Sequence, residues 1–115
     1  MNVFVFGSNL AGRHGKGAAL TARLKYGAIY GQGVGPQGQS YAIPTKDEYL
    51  RTLPLDRIAQ YLAEFVKYAS ENSESTFYLT PIGTGLAGYT LSDLYSILPE
   101  LPSNVIKTWE TEIKL

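Results

Sequence analysis

The sequence has no cysteine and a single histidine, and its ten basic residues are matched by ten acidic ones. Without cysteine there are no disulfides, thiolate nucleophiles or cysteine-built zinc sites, and one histidine with few acids argues against a metal cage. A formal charge of zero gives no bulk attraction for nucleic acid or anionic lipid, so nucleic acid is not an expected partner, although a local anion site remains open. No charged start leads into a short apolar segment, and no apolar run approaches the roughly 20 residues that span a bilayer. These absences predict a soluble, cytoplasmic protein without metal or cofactor.

What the chain has in excess is glycine, twelve in 115 residues. That length suits one domain over 1–115, burying roughly two-thirds of its extended surface. Residues 2–6, NVFVF, read as a strand buried on both faces. A helix is expected from Lys16 to Tyr26, stopped by Gly27. The segment 28–39, AIYGQGVGPQGQ, reads as a loop or weak hairpin, and SYAIPT as a second strand ended by Pro44. From Leu55 the apolar residues Leu55, Ile58, Ala59, Leu62, Phe65, Val66 and Ala69 recur as on a helix that buries one stripe. A third strand, TFYLTPI, follows. Thr90 and Asp93 are spaced as a capping box for a helix closed by Pro99, and NVIKTWE is a final strand with Trp109 in the core.

Strands alternating with helices imply a mostly parallel sheet covered on both faces, with ligands at the carboxyl ends of its strands. The glycine-rich turns 7–17 and 83–88 both follow strands directly, so both are expected at that edge. Two familiar phosphate-loop patterns fail. GVGPQG, residues 33–38, matches G-x-G-x-x-G but carries Pro36 and runs into a strand where a helix should open. Gly15-Lys16 lacks the upstream glycine and the following hydroxyl of a P-loop, because those places hold Leu10 and Gly17. What remains is a pair of loops. GRHGKGAAL opens a helix whose free N–H groups suit phosphate oxygens, and PIGTGLAGYT curls amides around a second set, with Thr84 adding a hydroxyl. Side by side they suit a diphosphate. The alternative is that the glycines only make tight turns.

VFVFGSNLAGRHGKGAALTARLKYG together with FYLTPIGTGLAGY resembles the macrodomain family, and GQSYAIPTK resembles that family's middle strand. The resemblance implies a three-layer α/β/α fold, a small mostly parallel or mixed sheet flanked by helices. It also implies binding of ADP-ribose or a related NAD-derived nucleotide. Asn9 matches an asparagine that contacts the distal ribose; Gly15, Lys16 and Gly17 match the first glycine loop; Ile82, Gly83, Thr84, Gly85, Leu86, Ala87, Gly88 and Tyr89 match the loop around the diphosphate. Gly7, Ser8, Leu10, His14 and Pro44 complete the expected ligand edge. GKGAAL is similar to the branch that removes ADP-ribose from DNA or glutamate, but the lysine and acid of that branch meet Arg23 and Ala87. A second hydrolase pattern, an aspartate after the first glycines, meets Ala18 and Ala19. Arginine stays protonated and is a poor nucleophile. The expectation is therefore a binder, in a viral or phage gene one that sequesters a nucleotide signal. The alternatives are a hydrolase using His14 or an activated water, and a non-catalytic interaction module.

Overall fold

The computed structural model describes residues 1–110. It contains one five-stranded sheet built from β1 (Asn2–Asn9), β2 (Gly35–Gln37), β3 (Ser40–Lys46), β4 (Thr76–Leu79) and β5 (Val105–Lys107). Three helices, α1 (Gly17–Lys25), α2 (Leu55–Glu71) and α3 (Leu91–Ile97), and a 3-10 turn at Thr108–Glu110 complete the described chain. The sheet order is β2-β3-β1-β4-β5, parallel throughout except for the antiparallel hairpin of β2 and β3.

Central β1 shows why the fold has three layers. Successive side chains of a strand point to opposite faces, and all of Val3, Phe4, Val5 and Phe6 are buried. Phe4 and Phe6 join Ala42 on the face covered by Ala19 and Ala22 of α1, where Tyr26 stacks on Phe4 with centroids 4.6 Å apart. Val3 and Val5 join Tyr41, Ile43, Phe77 and Leu79 on the other face, under Ile58, Leu62, Phe65 and Ala69 of α2 and Leu94 of α3. The residues of α2 that are fully covered are four of those on the periodic stripe. α3 opens with the expected capping box: the Asp93 amide donates to the Thr90 hydroxyl and the Thr90 amide to the Asp93 carboxylate.

Four boundaries differ from expectation. β1 runs to Asn9 because Gly7 and Ser8 pair with Ile43 and Pro44 before a register shift at Asn9. β3 passes through Pro44, since β2 ends opposite Ala42 and leaves that flank of β3 without a partner strand; a missing N–H is tolerated there. β4 stops at Leu79, ahead of Pro81. The last strand is only Val105–Lys107, so Trp109 lies in the 3-10 turn, half-buried against the core, and donates from Nε1 to the Tyr95 hydroxyl at 2.8 Å.

Candidate functional site

Strands β3, β1 and β4 all end at one edge of the sheet, and the loops that leave them enclose a cavity of about 790 Å³. The first wall comes from Gly7, Ser8, Asn9, Arg13 and the start of α1. The second comes from Thr80 through Ala87, and Thr45, Lys46, Leu50 and Tyr30 close the sides. Such a volume is ordinary for a small-molecule site.

Both walls expose unsatisfied backbone donors. Gly17 opens α1 with φ +58°, the N-cap residue Lys16 supplies no side-chain cap, and the first turn carries no acid. The amides of Gly17, Ala18 and Ala19 therefore find no acceptor among the described residues, as the first N–H groups of any uncapped helix must. In the second loop the chain is pinned by Thr84 N–H to Pro81 O, Gly88 N–H to Gly85 O and Tyr89 N–H to Gly83 O. The amides of Gly83, Gly85, Leu86 and Ala87 are left without acceptors among the described residues. Gly83 has φ +79°, a conformation that reverses the chain there and favours glycine. The Thr84 hydroxyl donates to Pro81 O at 2.6 Å, so it can accept from a ligand but has no proton to offer a phosphate.

The charge in the cavity has one sign. Arg13, Lys16 and Lys46 stand in its lining, and no aspartate, glutamate or histidine does. Free amides at a helix start beside cations form an environment for anions. Among the described residues no group of three or more His, Cys, Asp or Glu is placed to hold a metal ion.

Of the residues expected at the edge, Gly7, Ser8, Asn9, Gly15, Lys16, Gly17 and all of Ile82 through Ala87 line the cavity. Leu10, His14, Pro44, Gly88 and Tyr89 do not. Tyr89 lies behind the second loop, where its hydroxyl donates to Leu53 O at 2.6 Å and its ring backs Gly83. Pro44 is buried within β3. Asn9 reaches the cavity but closes its own loop: its Nδ2 donates to Arg13 O at 3.0 Å, and its Oδ1 accepts from Arg13 N–H at 2.9 Å.

His14 is wholly buried, packed edge-on to Phe6 at 5.2 Å and to Tyr30 at 6.4 Å, with neither ring nitrogen hydrogen-bonded. Burial, and then the charge of Arg23, push its pKa below the usual 6.5, with the Gln32 backbone acting in the opposite sense. The imidazole is a neutral packing element beneath the first loop. Arg23 stands outside the cavity with its guanidinium 5.5 Å from the Tyr30 ring centroid, and Ala87 is in the wall.

Lining residues absent from the sequence expectation are Arg13, Ala18, Ala19, Tyr30, Thr45, Lys46, Leu50, Thr80 and Pro81. Thr45 and Lys46 form the carboxyl end of β3, so the rule that ligands meet the carboxyl ends of parallel strands could have located them. Tyr30 and Leu50 sit in loops far from either glycine motif, and no local signal marks them.

No family model matches the chain, and no curated protein does. Among solved structures it is similar to the macrodomain of Mycobacterium tuberculosis DarG, with a TM-score of 0.64 and 22% identity over 82% of this chain and 76% of that one. It is also similar to a protein of unknown function from Bacteroides thetaiotaomicron, with a TM-score of 0.60 and 20% identity over 84% of this chain and 76% of that one. The chain therefore has a macrodomain-like α/β fold. Among its described residues no helix is long and apolar enough to cross a membrane.

Proposed function

We propose that this protein binds ADP-ribose or a related NAD-derived nucleotide, with the diphosphate held between the start of α1 and the loop 82–87, and releases it unchanged. The observation that carries the reading is the convergence of two sets of unpaired amides on a cavity lined by three cations and no carboxylate. A diphosphate presents acceptor oxygens on both sides and satisfies both sets at once. Charge-assisted bonds of this kind are the stronger class, each worth about 1.5–3 kcal/mol. The macrodomain-like fold favours ADP-ribose over other diphosphates.

The lining also supports binding without turnover. Hydrolysis at an anomeric carbon needs a nucleophile or a positioned base. The wall offers amides, hydroxyls and cations but no carboxylate or histidine that could deprotonate Lys16 or Lys46 into a nucleophile, Ala87 stands where the branch this chain resembles keeps an acid, and His14 is sealed beneath the loop. A protein of this kind would hold a nucleotide signal out of circulation rather than consume it.

Calorimetry with ADP-ribose tests the reading. The wild-type protein gives a saturable isotherm, and mass spectrometry recovers the ligand intact after prolonged incubation. Gly85→Val, at a position where an added Cβ meets nothing within 4 Å, keeps its melting temperature and binds at least about tenfold more weakly, through loss of one charge-assisted contact. Absence of wild-type binding, or release of product, contradicts the proposal.

A further inference from the structure

Leu50 is the one described non-glycine residue with a left-handed backbone, φ +64°. A bulky side chain in that conformation is a strained outlier, and such strain persists only where surrounding structure over-determines it. Here the surroundings do. Asp47 Oδ1 accepts from the amides of Tyr49 at 2.8 Å and Arg51 at 2.9 Å, and its other oxygen pairs with the Arg51 guanidinium at 3.3 Å. The Leu50 amide donates to Asp47 O at 3.1 Å, and the Asp47 amide to Arg51 O at 2.7 Å. The end of the excursion is tied to the second glycine loop, because the Thr52 hydroxyl donates to Ala87 O at 2.9 Å.

This bonded turn presents an apolar side chain, 40% exposed, to a cavity whose lining also holds the apolar groups of Tyr30, Ile82 and Leu86 beside its amides and cations. A leucine gains nothing from solvent there, and glycine would adopt the same backbone without strain. We infer that Leu50 is a specificity-determining residue of the cavity, an apolar wall held in place by the Asp47 turn for the carbon face of the ligand's sugar or base. The inference rests on the nucleotide reading above and adds to it a side chain, fixed in place by its own turn, that separates a nucleotide from a bare diphosphate. Asp47 is a positioning residue, acting through the turn.

The test compares wild type, Leu50→Gly, Leu50→Met and Asp47→Ala by calorimetry with ADP-ribose and by thermal melting without ligand. Leu50→Gly melts no lower than wild type, since the left-handed strain is relieved, and binds roughly tenfold more weakly for want of the apolar contact. Leu50→Met, which restores an apolar side chain, stays within about threefold of wild type. Asp47→Ala weakens binding in the same direction although Leu50 is intact. Wild-type binding that Leu50→Gly leaves unchanged, or that Leu50→Met fails to restore, overturns this inference alone. A wild-type protein that does not bind ADP-ribose overturns the nucleotide reading and this inference with it.

Discussion

Gly33 and Gly85 are both loop glycines flanked by further glycines, yet a Cβ on Gly33 would overlap the carbonyl oxygen of Asn9, whereas one on Gly85 would meet nothing within 4 Å. Gly33 belongs to a buttress. Its carbonyl accepts from the buried Ser8 hydroxyl, and a Cβ on nearby Gly12 would overlap the backbone of Gly31, whose amide donates to Gly12 O at 2.8 Å. Backbone lies directly on backbone, and this holds the first loop at the end of β1. Gly85 belongs to a cradle, where the open space is the place a ligand would fill. Glycine thus serves close chain packing at one place and, on the proposed reading, ligand approach at the other, and the abundance of glycine in the sequence merges them. GVGPQG, which fails as a phosphate motif, contributes through its first glycine to the buttress.

The largest effect that would break this contrast is on stability. Gly33→Ala forces two backbones apart and lowers the unfolding free energy by about 3 kcal/mol, the upper end for overpacking. The denaturant midpoint measures it. A midpoint near wild type would mean that the buttress yields easily and that the two kinds of glycine do not differ.

A smaller effect comes from His14, packed under the same loop. Its folded-state pKa lies below the usual 6.5, so as pH falls through that value the unfolded chain takes a proton that the folded chain refuses. Stability is greatest above this range and declines as pH falls below about 6.5. The slope for one proton is at most about 1.4 kcal/mol per pH unit. Melting temperatures measured across that window, with His14→Phe as the variant that lacks the proton site, should show the decline in wild type and its loss in the variant.

Helix α2 was legible because seven apolar residues on one stripe state its period and its buried face without reference to anything distant. The capping box of α3 was legible for the same local reason, and the alternation of strands and helices placed both glycine loops at one edge. What local pattern could not provide was pairing. β1 reaches Asn9 only because β3 lies beside Gly7 and Ser8, and β5 ends at Lys107, short of Trp109. Side-chain direction was equally hidden. The sequence places His14 between glycines of the candidate loop, and only the packing of Phe6 and Tyr30 shows that it faces inward. Asn9 was expected at a ligand and is at the cavity, but Arg13, four residues on, takes both ends of its amide.

In the proposed complex the unpaired amides of the two cavity loops receive the diphosphate while the buttress only supports them. This arrangement is tested most directly by following backbone amide resonances of the nitrogen-15 labelled protein during a titration with ADP-ribose. The amides of Gly17, Ala18, Gly83, Gly85 and Leu86 should move furthest and saturate together, and those of Gly12, Gly31 and Gly33 should stay nearly still. Shifts centred on the buttress, or a spectrum that does not respond to ADP-ribose, would contradict it.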